Sequence, residues 1–170
     1  MRSEMSITVR GDIDRLYSLA SDVPRWAEFL PHYRYVKVLG SNGPQRIVAM
    51  AAWRDIIPLR WVSVLELVPE ERRIIFQHIG GGARGMYVEW RIVQEGPVVR
   101  ATIMHDLSRL AYPIVATSLG RAVLAHGLID PVAGKTLACM RDLVESDRDR
   151  DVRSQEAKPL LAFTPLGTGQ

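Results

Sequence analysis

The feature that most constrains this chain is an apolar stripe over residues 112–146. From Ile129 the apolar residues recur at Ala133, Leu137, Met140 and Val144, in steps of three or four, which places them on one face of a helix. Lys135, Asp142 and Glu145 fall largely on the other faces. Upstream, Ile114, Val115, Leu119, Ala122 and Val123 make a similar stripe. Between the two, Gly127 offers a stop, Asp130 an N-cap and Pro131 a first helical position. The spacing predicts two helices, or one helix sharply broken over residues 127–130. A stripe this long must bury itself against something large, and the partner it calls for is a sheet.

The chain before it supplies one. Residues 5–10 alternate as a short first strand. Gly11 and Asp12 open a helix over residues 13–20, and Ser21 and Asp22 cap a second short helix through Trp26, Phe29 and Leu30, ended by Pro31. Six strand-like stretches follow, over residues 33–39, 45–53, 59–67, 72–79, 86–93 and 98–106, separated by glycine- and proline-bearing breaks. Short turns of this kind predict a consecutive antiparallel meander. From Asp147 the sequence turns to Asp-Arg alternation and then to Pro, Gly and Thr, which reads as a disordered tail over residues 147–170 behind one domain over residues 1–146.

Strand phasing predicts which side chains face the helix. Arg60 and Glu66 share one face, so Leu59, Trp61, Ser63, Leu65 and Leu67 point inward. By the same alternation Ile74, Phe76 and His78 point in, as do Met86, Val88, Trp90 and Ile92, with Glu89 and Arg91 out. Val99, Ala101, Ile103 and His105 complete the set, opposite Arg100. The inner surface is apolar except at Ser63, His78 and His105. A curved antiparallel sheet around a terminal helix commonly leaves a cavity between them, so this is the composition of a greasy pocket with a few polar anchors. Trp61 and Trp90 serve equally as core or as pocket wall, because in such an arrangement the two are one surface.

The opening helical segment, with Asp22, Trp26 and Phe29-Leu30-Pro31, resembles the polyketide cyclase/aromatase branch of the START and birch-pollen-allergen-like (SRPBCC) superfamily. So do Arg60-Trp61-Val62-Ser63 and Gly85-Met86-Tyr87-Val88-Glu89-Trp90. The resemblance spans residues 6–145. It implies an α+β helix-grip fold: a curved antiparallel sheet of about seven strands around a long C-terminal helix, with two short helices after the first strand. It also implies an internal cavity for hydrophobic molecules, as in aromatase/cyclases, quinone-binding proteins and lipid carriers. In polyketide aromatases a pocket arginine follows two residues after the serine of the Trp-x-Ser strand, where this chain has Leu65. Arg54, just past the strand ending in Trp53, could reach in from the rim in its place.

Other motifs carry little. Gly80, Gly82 and Gly85 satisfy a GxGxxG pattern, but a strand-like stretch follows where a dinucleotide loop needs a helix, so a flexible hairpin is the better reading. Gly134-Lys135-Thr136 ends like a phosphate loop, yet Ile129 stands where its first glycine is required. His32, His78, His105 and His126 show no metal spacing, so no metal and no other cofactor is expected. Ser63 has no nucleophile elbow around it. The single cysteine, Cys139, excludes an internal disulfide and fits a reducing compartment. Residues 1–9 lack the apolar run of a signal peptide, and no stretch reaches membrane-spanning length, so a cytoplasmic protein without integral membrane association is expected. A net charge of +3 with scattered arginines argues against a nucleic-acid partner.

Three functions follow. The first is a cyclase or dehydratase that folds a reactive polyketide, with His78, His105 and Arg54 as catalytic candidates. Trp53, Trp61, Ser63, Leu65, Phe76, Met86, Trp90 and Ile103 are its ligand-binding candidates. The second is a carrier of a lipid, quinone or aromatic metabolite, and the third an interaction module whose cavity is vestigial. The partner is a hydrophobic small molecule, and a homodimer is left open.

Overall fold

A computed structural model of the chain describes residues 1–110 and 125–156. Strand β1 (Arg2–Val9) leads into helix α1 (Ile13–Ser21), a 3₁₀ turn (Val23–Arg25) and a short helix α2 (Trp26–Phe29). Asp12 starts α1 by accepting a hydrogen bond from the Arg15 amide at 2.7 Å, the side-chain cap that a free helix N-terminus needs. Asp22, expected to cap the second helix, makes no such bond; Pro24 within the 3₁₀ turn starts it instead.

Six strands follow: β2 (Tyr33–Asn42), β3 (Gln45–Arg54), β4 (Ile57–Val68), β5 (Arg73–Gly81), β6 (Tyr87–Glu95) and β7 (Val98–Asp106). The seven strands form one antiparallel sheet of order β1-β7-β6-β5-β4-β3-β2. The inward phasing is seen in burial: Ser63, Leu65, Ile74, Phe76, His78, Met86, Val88, Trp90, Ile92, Val99, Ala101, Ile103 and His105 are buried, and Leu59, Trp61 and Leu67 are half-buried against the core. Outward does not always mean exposed. Glu89 lies on the outer face but is 6% exposed, beneath hydrogen bonds from the Tyr87 hydroxyl (2.7 Å) and Arg91 Nε (2.6 Å).

The closing helix differs from expectation at both ends. A π-helical turn (Ala125–Ile129) runs directly into α3 (Asp130–Glu156), so helical backbone is continuous across Gly127 and Pro131. The wider turn accommodates a proline that lacks an N–H and would clash with a regular preceding turn. Asp130 is therefore not the cap of a separate helix. Its carboxylate accepts from Ser3 Oγ at 2.8 Å and lies 2.8 Å from His126 Nδ1. The stripe from Ile114 to Val123 lies outside the described residues.

Downstream, α3 (Asp130–Glu156) passes Ser146, and residues 147–156, expected to open the tail, are helical. Charge pairs replace the apolar stripe there. Asp147 binds Arg15 of α1 at 2.7 Å and pairs with Arg150 one turn on. No helix among the described residues is long and apolar enough to cross a membrane.

α3 rests on β1, β3 and α1, and Val132, Ala133, Leu137, Met140 and Val144 are buried. Close approach to α1 requires Gly11: a Cβ there would lie 2.3 Å from Val144 Cγ1. That contact brings α1 and α3 together away from the cavity-lining turn of α3 at Ile129 to Thr136.

Candidate functional site: an aromatic cavity with two buried histidines

A cavity of about 370 Å³ lies between the sheet and α3. This is within the range of small-molecule sites. Its wall draws on the start of β4 and β6 and the ends of β5 and β7, which antiparallel pairing brings to one end of the sheet. Trp61, Phe76, Met86, Trp90 and Ile103 line it, together with His78 and His105.

Four other candidates do not line it. Leu65 is 1% exposed and sits deeper along β4, in the core. Ser63, fully buried, stands behind His78. Trp53 is covered by the Arg34 guanidinium, 4.9 Å from its ring. Arg54 pairs with Asp55 at the β3–β4 tip and does not replace the arginine absent at Leu65.

The phasing of β4 to β7 missed the rest of the wall. Trp26 from α2 is 2% exposed and is the hub of the aromatic cluster, with ring centroids 5.2 Å from Tyr33, 5.6 Å from Trp90 and 5.9 Å from Phe76. Tyr33 begins β2, and Ile129, Val132, Ala133 and Thr136 come from the closing helix. Thr136 had a visible signal: it sits three and four residues after Ala133 and Val132, a hydroxyl on an apolar stripe.

Two polar groupings interrupt the wall. Ser63 Oγ lies 2.8 Å from His78 Nδ1, which leaves Nε2 as the ring's free nitrogen. Burial pushes the His78 pKa down to about 3, with a further push from His105. Burial likewise takes His105 down to about 4, partly opposed by Asp130. Both imidazoles are neutral at pH 7, because a dry apolar wall cannot solvate an imidazolium. Among the described residues, buried His105 Nδ1 has no hydrogen-bond partner. On the other side, Thr136 Oγ1 donates to the Val132 carbonyl at 2.8 Å, so His32 Nε2, also 2.8 Å away, must donate to it. Burial, with Lys135, holds His32 at about 4. Burial raises the Tyr33 phenol above its ordinary value against the Thr136 hydrogen bond. Among the described residues no group of three or more His, Cys, Asp or Glu is placed to hold a metal.

A sheet gripping a helix around an aromatic, sparsely polar cavity defines the helix-grip class of the START and SRPBCC proteins. Residues 9–141 match the family described as "Polyketide cyclase / dehydrase and lipid transport", and the chain belongs to it. No curated protein matches the sequence. Among solved structures, the Zhui aromatase/cyclase from Streptomyces sp. R1128 is similar with a TM-score of 0.72 at 19% identity, covering 91% of this chain and 97% of that one. The protein TTHA0849 from Thermus thermophilus gives 0.70 at 19% identity, over 86% and 99% of the two chains. A START superfamily protein from Mycobacterium smegmatis gives 0.64 at 14%, over 84% and 98%. At these identities the likeness is one of fold.

Proposed function

We propose that the protein binds a hydrophobic, polycyclic or polyketide-type molecule in this cavity and acts on it as a cyclase/dehydratase. The observation that carries the reading is the pair of neutral histidines, His78 and His105, set in an otherwise dry aromatic wall. An imidazole whose conjugate acid has a pKa of about 3 or 4 is a weak base at neutral pH. Its strength lies in hydrogen bonding to carbonyl and enol oxygens without carrying charge. In an aldol closure the chain's enol carbon bonds to a carbonyl carbon, and the enol proton passes to the new alkoxide oxygen. Dehydration then removes an α-proton and expels hydroxide, which leave together as water. The cavity's part is to hold the chain folded, and that of the histidines is to bind the oxygens between which protons move. Ser63 fixes the His78 ring.

A second reading is favoured by one fact. Leu65 stands where polyketide aromatases carry a pocket arginine, so the site suits a carrier of a lipid, quinone or aromatic metabolite equally in shape. The deciding experiment incubates wild type, His78→Ala and His105→Ala with a reactive poly-β-keto thioester. A cyclase changes the product distribution from that in buffer, and loss of the correct histidine lowers turnover by about 10²–10⁴ while binding persists. Products identical to those in buffer, across several chain lengths, would refute the cyclase reading in favour of the carrier.

A further inference from the structure

The mouth of the cavity has a chemistry of its own. Its rim includes the β3–β4 tip, whose following residues Pro58, Leu59 and Arg60 line the cavity. At that tip Ile56 is 89% exposed, far beyond any other large apolar side chain described, and its neighbour Ile57 is 43% exposed. The tip is held out in a fixed pose. Asp55 takes a left-handed backbone conformation (φ 54°) and its carboxylate binds Arg54 on one side and Lys135 of α3, at 2.8 Å, on the other.

Along the same cavity rim the charge is positive. Arg60, Arg84 and Arg109 are exposed and make no ion pair or side-chain hydrogen bond among the described residues. Their backbones adjoin. A Cβ on Gly81 would meet the Arg60 carbonyl oxygen at 2.3 Å, and one on Gly85 would meet that of Arg109 at 1.9 Å. The turn bearing Arg84, with Gly82 and Ala83 in the cavity wall, is thus wedged between the other two segments. The nearby carboxylates are already engaged: Asp55 by two cations, Asp106 by Arg2, and Asp130 by Ser3 and His126. An excess of positive charge therefore remains on the rim from which Ile56 protrudes.

We propose that this rim docks the cavity mouth onto an anionic lipid surface, with Ile56 inserted among the acyl chains and the arginines on the headgroups. The proposal rests on the reading that the cavity takes a hydrophobic molecule, and it names where that molecule is collected or delivered. A lipid surface accepts an isolated apolar wedge and spread cations together, without a matched contour. A specific protein partner would need a complementary face of about 800 Å².

The test is co-sedimentation of the full chain with vesicles of phosphatidylcholine alone or containing phosphatidylglycerol, at low and high salt. The wild type should bind the anionic vesicles only, and lose them as salt rises. Arg84→Gln and Arg109→Gln should each weaken binding roughly fivefold, and Ile56→Asp should abolish it. Tryptophan quenching by 2-naphthol in the same samples reads the cavity independently. Intact quenching in an Ile56→Asp variant that no longer sediments supports the proposal. Vesicle binding without any quenching in the wild type would instead overturn the proposed function, and with it the delivery role. No binding to anionic vesicles, or binding unchanged in Ile56→Asp, overturns the proposal and leaves the arginines to an acidic protein partner.

Discussion

Three histidines held neutral by burial make stability depend on pH in a window where nothing else in the fold should act. His32, His78 and His105 have folded pKa values of about 4, 3 and 4, against an ordinary value of 6.5. A histidine with a depressed folded pKa takes up its proton first in the unfolded chain. Its stabilising effect is therefore full above 6.5 and is lost as pH falls toward the folded value. Between pH 7 and pH 5 each group costs about 2 kcal/mol, and the three together roughly 6. That is comparable to the whole stability of a typical domain. The carboxylates with depressed values, such as Asp106 at about 2, titrate in the unfolded chain mainly below this window. The assay is urea unfolding followed by tryptophan emission at steps from pH 7 to pH 5. The unfolding free energy should approach a slope of three protons near pH 5, and His105→Leu should reduce the drop by about 2 kcal/mol. A flat profile, or a slope below one proton, would show that the cavity is wet enough to solvate imidazolium and would refute the dry-wall argument.

Two backbone substitutions probe close approaches at glycine. Gly85→Ala combines φ 94° with a Cβ 1.9 Å from the Arg109 carbonyl oxygen, and should lower stability by at least about 3 kcal/mol in thermal or urea melts. Gly96→Ala, at φ 58° in open space, should cost only about 1 kcal/mol and serves as its control. Where α1 meets α3, Gly11→Ala drives a Cβ to 2.3 Å from Val144 Cγ1. Adding Val144→Ala should recover about 0.5–3 kcal/mol in a double-mutant cycle, and strict additivity would refute the contact.

The sheet was legible because one face is buried along β5, β6 and β7, and a period of two reports that directly. Depth along the strand is a different coordinate, and alternation carries none of it. Trp61 and Leu65 lie on the same face of β4 and look alike in sequence, yet the first lines the cavity and the second is solid core. What separates them is where α1 and α3 close on the sheet, a contact fixed by Gly11 and Val144 far apart in the chain. Trp26 and Tyr33 were hidden for a related reason: a short helix and a strand start reach the cavity only through the crossing of elements. The last turns of α3 were missed because Arg15–Asp147 and Asp147–Arg150 hold them without an apolar stripe.

The same geometry bears on why polar groups stand in this wall at all. A buried donor or acceptor left without a partner costs about 1–3 kcal/mol, which makes His105 Nδ1 a costly group in this wall. An apolar residue there would relieve the penalty and still fill the wall. Ser63 and Thr136 each engage a histidine, whereas nothing in the described protein engages His105 Nδ1. A ligand oxygen or hydroxyl seated beside Trp90 and Ile103 that reached this nitrogen would complete it. A ligand that satisfies this nitrogen gains the relieved penalty as selectivity over a pure hydrocarbon of the same shape. Shape alone, in a wall otherwise made of Trp, Phe, Met and Ile, would discriminate far less.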